Sequence, residues 1–409
     1  MQTSMRRTLA ATAAVALTTL GVSAPATAAP ATAAPATAAP AEKPVLAAPG
    51  AEVVPDSYVV VLKADGSAVA GQARTLASRY GGTVRQTYSH ALRGFAATMS
   101  AQQARRMAAA PEVAYVQSDL IHRASDTQTN PPSYGLDRID QRNRPLNQAY
   151  TYSTGAANVH AYIVDTGIRT THRDFGGRAT SGFDAVDGGT ADDCHGHGTH
   201  VAGTVGGTSY GVAKSVQLVA VRVLNCQGSG TTAQVVAGID WVTANAQKPA
   251  VANMSLGGSA DTALDNAVSR SIASGVSYSI AAGNGFLGLF ALDACTQSPA
   301  RVPTALTVSA TDVNDRKATW ANRGTCVDLF APGINITSAW ATNDTASSTI
   351  SGTSMAAPHV AGAAALYLAT HPTATSAAVH SAVVSAATTG VVTSPGSGSP
   401  NRLLYTGGF

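Results

Sequence analysis

Three stretches of the 409-residue chain hold side chains able to move a proton and attack a carbonyl. They are Asp165-Thr166-Gly167, His195-Gly196-His197-Gly198-Thr199-His200 and Gly352-Thr353-Ser354-Met355-Ala356-Ala357-Pro358-His359. A serine hydroxyl attacks poorly until a neighbouring base takes its proton, and imidazole is the usual base near neutral pH. A carboxylate beside the imidazole would orient it. Ser354 reads as the tip of a helix, because Val360 to Leu368 continue as a run of small and apolar residues. Such a tip offers unpaired N–H groups and the positive end of the helix dipole, which suits an anion forming on a substrate carbonyl. Pro358 reads as part of the first turn, where its missing N–H does little harm. Taken alone, Ser354 also fits an ordinary helix cap.

Two other chemistries compete for these residues. Asp-Thr-Gly also marks aspartic proteases, but those need two carboxylates sharing a proton, and the chain has one Asp-Thr-Gly and no Asp-Ser-Gly. Three imidazoles also fit zinc. The common helical zinc site places His at i and i+4 with a Glu base, and no Glu occurs after Glu112. A base serving Ser354 is the better use of the histidines, and the small residues Gly198, Ala202, Gly203 and Gly206 let their helix pack closely.

These residues must be held by something, and beyond Gly135 short apolar runs alternate with helical stretches. The segments are Val159 to Val164, Gly198 to Val205, Gln217 to Leu224, Thr232 to Thr243, Val251 to Met254, Ala263 to Ser274, Ser277 to Ala282 and Ala305 to Ser309. Near-continuous Val, Ala and Ile strands between helices predict an α/β fold, with a parallel sheet covered on both faces. Ligands bind such sheets at the carboxyl ends of the strands. Asp165 ends the first of these runs, and Asn284 lies just past Ala282.

The front of the chain is different. Met1 to Arg7 are basic, Leu9 to Val22 apolar, and small residues follow, so residues 1–28 read as a secretory signal. Ala-Thr-Ala-Ala-Pro repeats make residues 29–50 a disordered spacer. From Tyr58 to Gln117 the pattern predicts a β-α-β-β-α-β unit, a small ferredoxin-like domain within residues 51–124. Thr127 to Ser133, rich in Thr, Asn and Pro, reads as an exposed, cleavable junction at the head of a body spanning 125–409. The body carries 15 Lys+Arg against 17 Asp, whereas residues 1–124 carry 11 Lys+Arg against 6 acidic residues. With no basic stripe, no nucleic-acid partner is expected, and the two parts have complementary charge. With no second long apolar run, no membrane partner is expected either, and the mature protein should be secreted. Cys194, Cys226, Cys295 and Cys326 contain no C-x-x-C pair, which in an oxidising compartment favours two disulfides, in any of three pairings.

Taken together, Asp165-Thr166-Gly167, His197-Gly198-Thr199-His200 and Gly352-Thr353-Ser354-Met355-Ala356 resemble, in that order, the subtilase family of serine endopeptidases. Asp137-Arg138-Ile139-Asp140-Gln141, Tyr210-Gly211-Val212-Ala213-Lys214, Val251-Ala252-Asn253-Met254-Ser255-Leu256-Gly257-Gly258 and Asn401-Arg402-Leu403-Leu404-Tyr405 are similar to its proteinase K branch. Tyr58 to Gln117 similarly resembles the family's inhibitory prodomain, of the I9 type. The resemblance implies a three-layer subtilisin-like catalytic domain behind an α+β prodomain. It also implies a secreted, monomeric endopeptidase, made as a self-processing precursor, that cleaves protein and peptide substrates.

Carried over residue by residue, the resemblance makes Ser354 the nucleophile, His197 its base and then acid, and Asp165 the orienting carboxylate. Asn284, in Ala281-Ala282-Gly283-Asn284, and the Ser354 backbone N–H become the oxyanion donors. Gly228-Ser229-Gly230 and Ser255-Leu256-Gly257, with Gly283, become the edges between which substrate lies as an added strand. The resemblance further implies disulfides Cys194–Cys226 and Cys295–Cys326. It implies structural Ca²⁺ held by the Pro303 and Ala305 carbonyls with Asp328, and a further site near Asp137, Asp140 and Gln141. The prodomain is expected to act as an intramolecular inhibitor with Ser118 to Ala124 in the cleft. A non-proteolytic serine hydrolase fits less well, because the serine motif lacks the last Gly of a nucleophile elbow. An inactive binding protein of this fold fits less well too, because the Asp, His, Ser and Asn set is intact.

One segment departs from the family. Gly285-Phe286-Leu287-Gly288-Leu289-Phe290-Ala291-Leu292-Asp293-Ala294 replaces a shorter polar stretch, and Thr296-Gln297 replaces an Asn-Tyr pair. Large apolar side chains gain roughly 1.5–3 kcal/mol each on burial, so this loop is expected in the core, on a partner, or over the substrate as an added apolar wall of the primary specificity pocket.

Overall fold

A computed structural model describes residues 41–47, 53–64, 68–121, 126–286 and 288–409. The expected signal (1–28), the spacer as far as residue 40, and residues 122–125 lie outside the described residues. The end of the spacer is not loose, as the sequence led us to expect. Lys43 and Leu46 donate backbone hydrogen bonds to Arg105 and Val116, so this segment runs beside the N-terminal domain.

That domain consists of β1 (Val53–Leu62), α1 (Val69–Tyr80), β2 (Thr83–Tyr88), β3 (Gly94–Thr98), α2 (Ala101–Ala108) and β4 (Val113–Leu120). The sheet is antiparallel in the order β2-β3-β1-β4. Alternate residues Val60, Leu62, Phe95, Ala97 and Val116 point to one face and pack on Leu76 and Met107 of the helices. Ser118 and Leu120 are bonded into β4 against β1, so any stretch free to enter a cleft begins at Ile121, not Ser118.

The body opens with β5 (Asp126–Thr129), antiparallel to β6 (Ala149–Tyr152). The stretch read as a loose junction is thus partly a strand. Gln128 holds it down by accepting a 2.6 Å hydrogen bond from Lys214, which lies over the rings of Tyr150 and Tyr152. Burial there pulls the Lys214 ammonium down to about 7.

There follow β7 (His160–Asp165), β8 (Ala179–Asp184), α3 (His197–Gly206), β9 (Gln217–Arg222), α4 (Thr232–Asn245), β10 (Ala250–Met254), α5 (Thr262–Ala273), β11 (Ser277–Ala281), β12 (Leu306–Thr311), β13 (Leu329–Pro332), α6 (Thr353–Thr370), β14 (Thr388–Thr389) and β15 (Arg402–Leu403). They build one sheet in the order β14-β15-β13-β12-β11-β10-β7-β9-β8, parallel except for the edge pair β14-β15. In β7, Ala161 and Ile163 join one core with Val201 of α3 and Val360 of α6, while Tyr162 and Val164 join another with Ile239 of α4 and Val268 of α5. A strand apolar on both faces is what a helix–sheet–helix sandwich requires.

The chain leaves β7 for β8 and β9 on one side and then returns to β10 on the other, so the order of strands reverses at β7. A crevice opens at the carboxyl end of such a strand, and Asp165 is its last residue.

Candidate active site

Asp165 is fully buried at the end of β7, and His197 begins α3 beside it. The approach depends on two glycines. A Cβ on Gly198 would lie 2.2 Å from the Gly167 carbonyl oxygen, and Gly167 itself takes φ +103° with a would-be Cβ 2.5 Å from the Ala191 carbonyl. Only these residues let the helix tip meet the turn after β7. His197 Nδ1–H then donates to Asp165 Oδ1 at 2.7 Å, and Asp165 Oδ1 also accepts the Thr166 N–H. Burial alone would lower the His197 pKa, but the charge and hydrogen bond of Asp165, with the charge of Asp193, outweigh it and raise the value above the usual 6.5.

Asp193 fixes the start of α3. One of its oxygens accepts the N–H groups of His195 and Gly196 and the Thr166 hydroxyl, and the other accepts the Thr199 N–H and hydroxyl. Sequence reasoning missed it; an Asp four residues ahead of the first helical residue was the available signal. His200 is buried, with Nε2 at 3.0 Å from the Ile336 carbonyl, and burial holds its pKa at about 4. It is a neutral packing residue. His195 lies at the cleft wall, its Nδ1 accepting the His197 N–H at 3.3 Å.

Ser354 is the second residue of α6. Pro358 stands in the second turn, not the first, and its missing N–H would leave the Ser354 carbonyl without its helical partner. The Ser255 hydroxyl donates to that carbonyl at 2.7 Å, and Asn253 Nδ2 donates to the Ser255 hydroxyl at 2.9 Å. An orphaned buried carbonyl costs about 1–3 kcal/mol, so this bond ties the nucleophile's helix to the end of β10. The Ser354 hydroxyl donates to the Ser255 carbonyl at 3.1 Å, and no hydrogen bond joins it to His197 in this structure.

Asn284 lies just beyond β11. Its side-chain oxygen accepts both the N–H and the hydroxyl of Thr353 at 2.9 Å, which fixes the amide orientation and leaves the NH₂ group for the cleft. The Thr353 hydroxyl accepts the Gly283 N–H in turn. Thr353 is a positioning residue that the sequence did not single out.

His197, Ser354, Asn284, Thr353 and Ser255 open on one cleft of about 810 Å³. Its walls include His197, Gly228, Ser229, Gly230, Ser255, Leu256, Gly257, Gly283, Asn284 and Ser354. Leu256, Ala281, Ala282, Gln297 and Ala300 also line it. Disulfides Cys194–Cys226 and Cys295–Cys326 brace two of its borders.

The loop after Asn284 runs against two of the three sequence expectations, the core and the pocket wall. Phe286, Leu289 and Phe290 are 60%, 63% and 69% exposed, which excludes the core, and none of them lines the cleft, which excludes an added pocket wall. Leu287 lies outside the described residues.

Of the two oxygen sets, Asp328 gives one oxygen to the Thr307 N–H while the other lies 3.3 Å from His380 Nε2. Asp137 accepts the N–H groups of Asn147 and Gln148, and Asp140 accepts that of Thr151. The other Asp140 oxygen is buried without a partner, and burial lifts its pKa to about 6. The Gln141 amide donates to the Asn143 and Pro145 carbonyls, keeping its own oxygen free of them. Among the described residues, no three His, Cys, Asp or Glu side chains group as a metal site, so any cation here leans on carbonyl oxygens.

Residues 158–404 match the sequence model of the Subtilase family, and residues 57–125 match Peptidase inhibitor I9. The chain is 50% identical over 387 residues to the "Extracellular serine proteinase" of Thermus sp. (strain Rt41A), covering 89% of this chain and 93% of that one. It is 39% identical over 385 residues to the "Cuticle-degrading serine protease" of Arthrobotrys oligospora, covering 88% and 92%. Its fold matches the crystal structure of a cold adapted subtilisin-like serine proteinase with a TM-score of 0.64 and 52% identity, over 67% of this chain and 97% of the other.

Proposed function

The chain belongs to the subtilase family of serine endopeptidases, and from that premise we propose that Ser354, His197 and Asp165 carry its reaction, with Asn284 receiving the oxyanion. It is a secreted serine endopeptidase with an I9-type prodomain. The observation that carries the assignment of residues is the Asp165–His197 bond facing Ser354 across one cleft.

Substrate lies as a strand between Gly228–Gly230 and Ser255–Gly257. Its backbone N–H takes the Ser255 carbonyl, and this displaces the Ser354 hydroxyl toward His197 Nε2. Neutral His197 accepts the hydroxyl proton as Ser354 Oγ attacks the carbonyl carbon. The Asn284 NH₂ and the Ser354 N–H stabilise the negative oxygen. His197, now an imidazolium paired with Asp165, gives its proton to the leaving amine, and the acyl-enzyme remains. Water then attacks by the reverse sequence of proton transfers.

The test is turnover of a casein-like substrate and its loss on treatment with a serine-directed phosphonate. Ser354→Ala should lower kcat by about 10⁶, the magnitude known for subtilisin of this same family, and should also block release of the prodomain. Normal maturation and cleavage by that variant, in a host lacking other proteases, would overturn the assignment.

Residues 51–124 act as the intramolecular inhibitor and residues 125–409 as the peptidase, which works as a monomer and binds neither nucleic acid nor membrane. The I9 match and the opposite charge balance of the two parts support the inhibitory pairing. Ca²⁺ fits the donor chemistry of the Pro303 and Ala305 carbonyls with Asp328, and the orphaned oxygen of Asp140 favours a second ion with Asp137 and Gln141. Bound Ca²⁺ would supply cross-links between loops and no step of the reaction. Excess chelator should therefore speed thermal inactivation at unchanged initial kcat, and an unchanged inactivation rate would remove both sites.

A further inference from the structure

Asn284 is followed by Gly285, and Asn-Gly occurs nowhere else in the chain. In such a pair the glycine nitrogen can attack the asparagine side-chain carbonyl with no Cβ to hinder it. Neither residue is free to change. Asn284 carries the oxyanion NH₂. Gly285 takes φ +67°, and a Cβ there would lie 2.1 Å from the Phe290 carbonyl oxygen and 2.8 Å from that of Trp320. The chemistry of the first residue and the backbone of the second thus place a labile dipeptide at the wall of the cleft.

The fold prepares each partner of that attack. The Thr353 N–H and hydroxyl both donate to Asn284 Oδ1 at 2.9 Å, at the N-terminus of α6. They draw electron density from Cγ and stabilise the negative charge that forms on Oδ1 when a nucleophile adds to Cγ. The attacking group is equally ready, since the Gly285 N–H makes no hydrogen bond to any described residue and its deprotonation breaks none. Asn284 is exposed and Gly285 half-buried, so hydroxide and water can enter and ammonia can leave.

We propose that Asn284 is a self-modification site, at which spontaneous deamidation removes the oxyanion donor and limits the working life of the enzyme. Hydroxide takes the proton of the Gly285 N–H, and the nitrogen adds to Asn284 Cγ. The tetrahedral adduct collapses by breaking the Cγ–Nδ2 bond, with Nδ2 leaving as ammonia and a five-membered imide remaining. One water then opens either C–N bond of the imide, giving an aspartyl or an isoaspartyl residue. In sum, one water is consumed and one ammonia released. The product has a carboxylate, which only accepts hydrogen bonds, where the NH₂ had faced the cleft. The loss of activity rests on the reading of Asn284 as the oxyanion donor, whereas the deamidation itself does not.

The test incubates self-processed enzyme at several alkaline pH values and several enzyme concentrations. Beside it runs a synthetic peptide, Ala281-Ala282-Gly283-Asn284-Gly285-Phe286, as the unfolded reference. Peptide mass mapping follows Asn284, hydroxylamine traps the imide, and an isoaspartate-specific methyltransferase labels one of its two products. Asn284 should convert at the peptide's rate or faster, in proportion to hydroxide, with isoaspartate among the products. Activity should fall in step, as a first-order process independent of enzyme concentration, which separates it from autolysis. The converted aspartyl form should match a directly made Asn284→Asp variant, with kcat lower by about 10²–10³, the cost of one lost oxyanion donor in subtilisin of this family, and KM unchanged. Asn284 still intact after several half-lives of the peptide overturns the proposal. So does conversion with neither trapped imide nor isoaspartate. Full conversion with kcat unchanged would instead uphold the modification and overturn the oxyanion role of Asn284.

Discussion

Asn284 stands between two regions built on opposite terms. Behind it lies the floor of the cleft, where buried polar side chains are tied to one another at short distances: Asp165 with His197, Ser255 with the Ser354 carbonyl, Thr353 with Asn284. Ahead of it lies a hairpin closed by the backbone bond from Phe286 to Phe290, whose large side chains Phe286, Leu289 and Phe290 touch water. Low dielectric makes the floor's bonds strong and makes each lost partner expensive. The hairpin, by contrast, can change side chains without leaving a buried group unpaired. The floor should therefore respond to the loss of single atoms with large falls in kcat, whereas side-chain changes on the hairpin should leave kcat nearly unchanged.

The sharpest way to break this contrast is Asp165→Asn. The floor then keeps its shape but loses the carboxylate that holds a proton on His197 Nδ1. The corresponding carboxylate of subtilisin, in the same family, is worth about 10⁴ in kcat, and a fall of that order is expected here. The pH profile adds a second readout. His197 must be neutral to act as a base, so activity rises as pH rises through its pKa, which Asp165 and Asp193 hold above the usual 6.5 in spite of burial. Without the Asp165 charge the burial effect prevails, and the midpoint of the acidic limb should move down. A variant with an unmoved midpoint and a loss under tenfold would show that the floor is no more demanding than the hairpin.

Much of this was legible in the sequence, and the reasons differ by region. The strands β7, β10 and β11 were readable because burial on both faces demands uncharged runs, Ala161-Tyr162-Ile163-Val164, Ala250-Val251-Ala252-Asn253-Met254 and Ser277-Tyr278-Ser279-Ile280-Ala281. The strand β8 was not, because Ala179-Thr180-Ser181-Gly182-Phe183-Asp184 lies at the sheet edge with a bulge between Ser181 and Phe183, and its composition resembles a loop. The motifs pointed to Asp165, His197, Ser354 and Asn284, since their chemistry restricts the residue types. Thr353 stayed hidden because its partner Gly283 lies 70 residues away, and Asp193 because its local bonds to the tip of α3 are those of an ordinary acidic residue before a helix. Pro358 misled by one turn: its lost bond is made good by Ser255, nearly a hundred residues away. The hairpin misled most, because apolar composition predicts burial, and only the closure of Phe286 onto Phe290 shows that the segment folds on itself outside the core.

A smaller effect separates positioning from packing within the floor itself. Thr353→Val keeps the size and β-branching of the side chain, so the buried helix tip should stay packed, but it removes the hydroxyl that accepts from Gly283 and donates to Asn284. Asn284 retains its bond from the Thr353 N–H, so the amide is loosened and not lost. An oxyanion donor removed outright costs about 10²–10³ in kcat, a figure taken from subtilisin itself, and a loosened one should cost about tenfold. The donor acts on charge that develops after substrate has bound, so the loss should fall on kcat with KM unchanged. Thr353→Ser restores the hydroxyl on a smaller side chain and should recover most of the rate. If Ser and Val variants lose the same activity, or if KM rises alongside, then Thr353 acts through packing, and the floor is as tolerant of lost polar atoms as the hairpin beyond Asn284.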